Sequence, residues 1–566
     1  ALLVVVLAVA GGSGGPTRAH AAAMALPPDA DEVKARVEAH LKEKPGDDTR
    51  QALHRFYDAR GFEPAWFKHG APQLHVLAYL SALCDVETEG LRPEHYGHGE
   101  LEEGLKALMK GGADDAWAGL ELKLTSSFLT LASHLATGQL SPKAHGWHVK
   151  PRELDAVTVL HEAMTRGDVA GALRALSPTS PEYAGLKKAL ARYRALEAAG
   201  GWPRLPAKGG PLEPGMTDPR VRTLRERLQA TGELGPPAPG TEEQFDATVE
   251  EAVKAFQQRH GLEPDGKVGG RTLAELRVPV EERIAQLLVN LERWRWMPSD
   301  FGERHVRVNV AAFELEAVRP GAPPLRMRVI AGEKEWATPV LTDEMSELVL
   351  NPAWAVPRRI ASEDILPKLR ADPGAAARMG LQVRTTDGEP VDASQVDWSA
   401  LGEEPGPYRF GQAAGPGNPL GRLKFVLPNR FRVYLHDTPG KKHFALPERA
   451  LSHGCVRVEQ PEKLATYLLS GAEGWTEERL LAELETGKTQ TVALPTPVPV
   501  HLLYWTAFAT EDGQVHFRRD VYGRDARVRE ALGLEERPDA DERESAPMCT
   551  RVPVSPVSPG PAVSGS

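Results

Sequence analysis

Cys455 stands in ALSHGCVRVEQP, residues 450–461, with His453 two positions before it and Arg457 two positions after. It is one of 3 cysteines in 566 residues. Another histidine, His436 in VYLHDTP, precedes His453 by seventeen positions. These residue types can perform thiol chemistry. A thiolate nucleophile needs a base or cation that favours loss of its proton, donors for a developing oxyanion, and a group that holds the substrate. His436 or His453 can meet the first need. The backbone N–H groups of Gly454 and Cys455 can meet the second, because a glycine lets a substrate approach the peptide closely. Arg457 can grip a carboxylate with paired hydrogen bonds and lower the thiol pKa by proximity.

Three other roles fit the same cysteine. His436, His443, His453 and Cys455 can be zinc ligands, but no CxxC or HExxH spacing is present, and no metal is expected. A buried structural cysteine explains the thiol but not its glycine and polar neighbours. An interchain disulfide suits an exported chain with an odd cysteine count, yet requires none of His453, Gly454 or Arg457.

Strand alternation suggests how these groups are placed. NRFRVYLH (429–436) predicts one face with Phe431, Val433 and Leu435 and another with Arg432, Tyr434 and His436. In HGCVRVE, His453, Cys455 and Arg457 would share a polar face, thiol and guanidinium about 7 Å apart, with Val456 and Val458 behind them. RHVRVNVAAFELEAV, LRMRVIAG, SELVLNPAWAVP and LKFVLP alternate in the same way, so the domain around the cysteine is expected to be mainly β, over 279–530. Between about 357 and 422 the alternation breaks into a helix and loop insertion, long enough for a lid or binding element.

Upstream the pattern is helical. Residues 26–205 carry apolar positions at i, i+3, i+4 and i+7, as in PQLHVLAYLSALCDVE, where Cys84 lies in the apolar stripe as a small buried residue. A Pro/Gly linker at 203–219 leads into a module, 206–278, of three short helices with Leu224, Leu228, Val249, Val253, Phe256, Leu262 and Leu273 inward. The expected fold class is therefore multidomain α+β. An all-α domain comes first, then the three-helix module, then the mainly β domain with its insertion. ALLVVVLAVA and the small residues after it resemble the end of a signal peptide over 1–25, which predicts export. A longer uncleaved anchor is the alternative, and it is the only membrane contact expected. Residues 531–566 are charged, then Pro/Val/Ser-rich, and are expected to be disordered. The net charge of −10, without a Lys/Arg tract, excludes a nucleic-acid binder.

The spacing His436, fifteen residues, Ser452-His453-Gly454-Cys455 resembles the bacterial L,D-transpeptidases, in particular the large subgroup with a helical scaffold domain and a YkuD-type catalytic domain. NPAWAVPRRI (351–360), LPKLRADPG (366–374), GNPLGRLKFVLPN (417–429) and ERWRWMP (292–298) are similar to that subgroup's segments. FQQRHGLEPDGKVGGRTLAEL is similar to type 1 peptidoglycan-binding modules. The similarity covers roughly residues 206 to 530. It implies Cys455 as nucleophile and His436 as general base, with Ser452, His453 and Gly454 shaping the site and its oxyanion hole. Arg457 would bind donor carboxylate, and Tyr434 would line the same face. It also implies a peptidoglycan tetrapeptide donor, an acceptor stem, 3→3 cross-links, no cofactor, a place in the periplasm or cell wall, and other wall-synthesis proteins as further partners. An L,D-carboxypeptidase at the same cysteine and a non-catalytic wall-binding scaffold are the alternatives.

Overall fold

The computed structural model describes residues 30–43, 48–68, 71–111, 116–150, 152–510 and 512–535. The expected signal peptide, and the tail beyond 535, lie outside these residues. Four-fifths of the way through the chain sits the cysteine, so the question for the fold is how the earlier domains are tied to it.

The N-terminal helices, among them Leu74–Asp85 and the long Ala116–Thr137, pack their apolar stripes into a core that spans Val33 to Leu176. Cys84 is buried in this region, 8% exposed, but it is disulfide-bonded rather than a plain buried thiol, and its Sγ lies 3.4 Å from His98 Nε2. Among the described residues the region is helical apart from three two-residue strands, and one of these, Trp147–His148, pairs with the β domain. The helix Pro181–Ala198 starts on a Ser180 cap with proline at its first position, as SPTSPEY predicts. Its Tyr183, Leu186, Leu190 and Tyr193 belong to the core of the β domain rather than to that of the other helices.

The three-helix module forms as expected. Pro219–Thr231 is capped by Asp218, Ala247–Arg259 by Asp246, and Gly270–Leu276 completes the set. Val221, Leu224, Leu228, Val249, Val253 and Phe256 are its core. Leu262 is a correction. It stands outside that core and lines a groove against the β domain, because the chain turns away at Gly261 with φ +65. The module is docked, not tethered. Arg259 donates to the Val515 carbonyl (3.0 Å), Arg518 donates to the Arg259 carbonyl (2.9 Å), and His260 stacks on Phe517.

The β domain is built from β1 (His305–Asn309), β2 (Glu314–Val318), β3 (Leu325–Gly332), β4 (Val340–Leu350), β5 (Leu423–Phe425), β6 (Leu435–His436), β7 (Ala450–Ser452), β8 (Val456–Val458) and β9 (Gln490–Leu503). Strand order is β5-β6-β8-β3-β2-β1-β9-β4, and β5 pairs with β4 as well as β6, so the sheet closes on itself. Closure removes the exposed edges that an open sheet would present. Alternating apolar residues, including Val306, Val308, Val329, Leu348, Leu435, Val456 and Val458, fill the interior. The helix Val280–Arg295 is buried along most of its length and joins the domains: Arg293 pairs with Asp525 at 2.6 Å, and Glu292 accepts from Leu140 N at 2.8 Å.

The insertion is more than helices and loops. Its helical part, Arg358–Ala371, is followed by a small antiparallel sheet made of Gln382–Thr385, Pro390–Val391 and Tyr408–Gln412, which also takes in Trp354–Ala355. Trp398, Phe410, Ile365, Leu366, Leu369 and Val383 give it a core of its own. The strands escape sequence reading because each is short and set in a polar, Gly/Pro-rich run. At the other end of the domain, helix Arg524–Ala531 runs into Leu532 and Leu534, which pack on the main core. The expected disorder therefore does not begin at 531.

Candidate functional site

Strands β6 and β8 run parallel, with Leu435 opposite Val456 and His436 opposite Arg457. Leu435, Val456 and Val458 point into the barrel and are fully buried. That leaves His436 and Arg457 together on the other side, and Cys455 directly before β8. Cys455 is half-buried and is the free cysteine among the described residues. Its Sγ lies 3.9 Å from the Arg432 carbonyl.

Two expected strands are shorter than the alternation implied. NRFRVYLH is a strand only at Leu435–His436. Asn429 folds the preceding residues into a turn: Oδ1 accepts from the N–H groups of Phe431 (3.1 Å) and Val433 (3.2 Å), and Arg432 sits in the left-handed region with φ +57. Tyr434 and His436 still lie together, with ring centroids 5.6 Å apart. In HGCVRVE the strand starts at Val456, because Gly454 has φ +107. Extended backbone through Gly454 was the condition for His453, Cys455 and Arg457 to share a face, and that condition fails. His453 instead packs edge-on against Trp336, centroids 4.7 Å apart.

The turn that carries the cysteine is braced on all sides. Ser452 Oγ donates to the Cys455 carbonyl (2.5 Å) and accepts from the Gly454 N–H (3.2 Å). The Gly454 N–H is thus not an open donor, whereas the Cys455 N–H has no partner among the described residues. Thr338 Oγ1 donates to the Gly454 carbonyl (2.8 Å) and accepts from the Gly332 N–H (2.9 Å). Tyr522 OH donates to the Gly332 carbonyl (2.5 Å). Gly332 is required here, since a Cβ would lie 2.1 Å from the Trp336 carbonyl and 3.0 Å from Gly454 Cα. Exchange of Thr338 for valine keeps the volume and leaves two buried backbone groups unpaired. The expected loss is about 1–3 kcal/mol of unfolding free energy in urea titration. A loss near zero would show that the Thr338 hydroxyl does not hold the turn.

Asp437 fixes the opposite wall. Its carboxylate accepts from Lys441 Nζ (2.6 Å), the Thr438 N–H (2.6 Å) and the Arg422 N–H (2.8 Å), a turn-holding role in line with its place in LHDTP. The Asp437 carbonyl meets His436 Nδ1 at 2.5 Å. A carbonyl only accepts, so this contact favours the tautomer with the proton on Nδ1, while the Leu420 carbonyl is a second backbone partner of the ring. Burial, followed by the Arg457 charge, lowers the His436 imidazole to about 3 against the opposing pull of that carbonyl. Burial likewise raises the Cys455 thiol, against the N–H and hydroxyl of Tyr434 and the charges of Lys424 and Arg457. At neutral pH the site holds a neutral thiol and a neutral imidazole. Burial also raises the Tyr434 phenol, and Lys424 Nζ lies 4.2 Å from the centre of that ring. Arg457 Nε is buried without a hydrogen-bond partner.

A cavity of about 620 Å³ opens beside this cluster, between the insertion and the β5–β6 segment. Cys455 and His436 do not line it, but their neighbours Tyr434, Lys424 and Leu420 do. Lys424, Arg358, Arg409 and Arg432 face it, and no Asp or Glu does. Two larger cavities lie away from the thiol. The insertion touches the cysteine turn through one relay: the Arg359 guanidinium lies 3.7 Å over the Trp336 ring, which in turn packs on His453. Trp336, Thr338 and Arg359 were not legible as site residues, whereas Lys424 and Arg432 were legible as sources of positive charge beside Arg457. The one hint for Trp336 is a lone tryptophan in the polar turn GEKEWATP. The four candidate zinc ligands do not converge, and no group of three or more His, Cys, Asp or Glu among the described residues is placed to hold a metal.

Residues 303–494 match the family model of the L,D-transpeptidase catalytic domain, 217–276 that of the "Putative peptidoglycan binding domain", and 51–190 that of the scaffold domain. A "Putative L,D-transpeptidase" of Haemophilus influenzae is 39% identical over 249 residues, 44% of this chain and 50% of that protein. The chain thus spans about half the length of this curated relative. An L,D-transpeptidase crystal structure from Xylanimonas cellulosilytica aligns over 52% of this chain and 99% of its own at 17% identity, with a TM-score of 0.17. A fused zinc-dependent amidase/peptidase from Clostridium acetobutylicum aligns over 52% and 100% at 10% identity, with a TM-score of 0.14. Likeness at that level carries no argument. The three family matches and the curated relative agree: the chain carries a YkuD-type L,D-transpeptidase catalytic domain joined to a scaffold domain and a peptidoglycan-binding domain.

Proposed function

We propose that the chain forms 3→3 cross-links in peptidoglycan, in the periplasm at the cell wall, through a thioester on Cys455. The observation that carries this reading is the free, half-buried Cys455 thiol directly before β8, the strand paired to that of buried His436, and beside a cavity whose charged lining residues are all cations. A stem peptide carries several carboxylates, which suits Lys424, Arg409 and Arg432, and Arg457 has unpaired donor capacity for one of them.

The chemistry follows from two neutral partners. Sγ attacks the carbonyl carbon of the third donor residue while the thiol proton passes to His436 Nε2. The oxyanion takes the Cys455 N–H, with Gly454 and Ser452 holding that turn in shape. Collapse breaks the peptide bond, and the leaving amine of D-alanine takes the proton from the imidazolium. The side-chain amine of an acceptor stem then attacks the thioester, giving a new amide and the free thiol again. Tyr434 lines the approach to Sγ, and its hydroxyl favours the thiolate as it develops. His453 acts through packing on Trp336 rather than as the base.

The test is incubation with a tetrapeptide muropeptide and mass spectrometry of the products. A cross-linked dimer with loss of D-alanine is expected. Tripeptide alone would mean hydrolysis of the same thioester, and an unchanged substrate would leave only a scaffold. The insertion acts as a lid in this scheme, latched by Arg359 on Trp336. Arg359→Ala is expected to lower donor turnover about tenfold, the equivalent of one cation–π contact of 0.5–2 kcal/mol. Its thiol should react with a small alkylating reagent at the wild-type rate. Equal loss of both would count against the lid.

A further inference from the structure

One residue of the scaffold domain reaches the turn beside the thiol. His148 stands on the strand Trp147–His148, inside the stretch that matches the scaffold domain. Buried Trp147 anchors this strand, edge-on to Trp296 with ring centroids 5.2 Å apart. The strand runs parallel to the start of β4, with Trp147 opposite Val340 and His148 opposite Leu341. Val340 lies two residues beyond Thr338, which holds the cysteine turn. The half-buried His148 side chain then meets the 429–433 turn through two contacts. Its ring lies 4.7 Å from that of Phe431, and its Nδ1 lies 3.1 Å from Arg430 Nη2. Arg430 closes the set, with its guanidinium 4.8 Å over the Phe431 ring. A guanidinium has no acceptor, so Nδ1 accepts, and the imidazole is neutral with its proton on Nε2.

The turn has need of such a brace. Arg432 sits in it at φ +57, a region that costs energy for any residue with a Cβ. The Arg432 carbonyl lies 3.9 Å from Sγ, and Arg432 and Tyr434 line the cationic cavity. Asn429 holds the turn from within, and His148 holds it from another domain. We propose that His148 is a positioning residue for the thiol: as a neutral imidazole it holds the 429–433 turn in place, and a proton on it releases that hold. The proposal rests on the cysteine reading above. An imidazolium has no lone pair to accept from Arg430, and two cations then face each other at hydrogen-bond distance. The charged groups that act on His148 are Arg430 of the turn, Lys143 of its own segment and Arg524 of the C-terminal helix, all cations. Val340 and Leu341 of β4 carry no charge, and His145 is stacked on Trp296. Burial first, then these three cations, lowers the imidazole from its ordinary value. The hold therefore persists through the ordinary histidine range and is lost as pH falls through the lowered value. The scaffold domain thus completes one wall of the site and makes that wall sensitive to acid.

The test compares the full chain with His148→Ala, His148→Gln, Arg430→Ala and the double variant of the two alanines. Tetrapeptide kcat/KM and the rate of Cys455 alkylation by iodoacetamide are read from about pH 4 to about pH 8, as ratios to wild type at each pH. His148→Ala is expected to lower both rates about tenfold at the upper end, the low end for loss of a hydrogen bond to a charged group. Its ratio should return toward one in acid, where wild type has itself lost the hold. Glutamine accepts from Arg430 but does not titrate, so His148→Gln should match wild type at the upper end and exceed it in acid. Arg430→Ala should reproduce His148→Ala, and the double variant should be no worse than either. Ratios that do not change with pH would reduce His148 to a plain interface contact, even with a lowered thermal midpoint, and would overturn the proposal. So would a His148→Gln profile that superimposes on wild type, or additive losses in the double variant. Failure of the transpeptidase reading shows differently, as absent tetrapeptide turnover with the alkylation ratios as expected.

Discussion

Cys455→Ala is expected to abolish both D-alanine release and dimer formation, by roughly 10⁴-fold or more, the scale on which removal of a covalent nucleophile acts. The fold should tolerate the change. Cys455 is half-buried and lies outside the strand ladder, and its side chain makes a long contact to the Arg432 carbonyl and contacts with the N–H and hydroxyl of Tyr434. An unchanged thermal midpoint beside lost turnover is therefore the expected pair of results, read by circular dichroism and by mass spectrometry of the muropeptides. Dimer formation that survives the substitution would remove Cys455 as the nucleophile. Loss of turnover together with a large drop in the midpoint would point to a structural cysteine instead.

His436→Gln is expected to lower kcat/KM by about 10²–10⁴-fold, the range for a positioned general base. Glutamine can keep a hydrogen bond to the Asp437 carbonyl but cannot carry a proton from thiol to leaving amine. The pH profile gives a sharper test. The folded imidazole is lowered to about 3 by burial and by Arg457, so it stays neutral as pH falls through the ordinary histidine range. The thiol is raised, so it stays protonated at neutral pH. A neutral pair predicts kcat/KM without a rising limb near pH 6.5, the unperturbed histidine value. A limb centred there would show that the base titrates like an exposed imidazole, and the neutral-pair scheme would fail. Arg457 is one of the causes of the lowered value, so Arg457→Ala should move any acid limb upward, toward 6.5.

Local chemistry was legible in the sequence. The Ser180–Pro181 helix start, the three-helix module and the alternation of the strands follow from the identity of a few neighbouring residues, and they appear in the structure with the two strands at the site shortened. The pairing of a cysteine with a histidine one strand away was also visible in spacing, although the choice of His436 over His453 came from family resemblance. The tertiary structure decided what depends on partners far along the chain. Thr338 holds Gly454 from 116 positions away, and Tyr522 holds Gly332 from 190. Ring closure by β5 on β4, the seating of helix Pro181–Ala198 on the barrel and the Arg359–Trp336–His453 relay are of the same kind. Gly454 shows the limit most clearly. As a letter it permits many backbones, and strand alternation assumed the extended one. Only its packing against Gly332, with Ser452 and Thr338 on either side, selects φ +107, turns His453 onto Trp336, and leaves the thiol beside His436's strand. Periodicity reports which face a residue prefers, whereas a turn held by distant hydrogen bonds is set by energies that no local window contains.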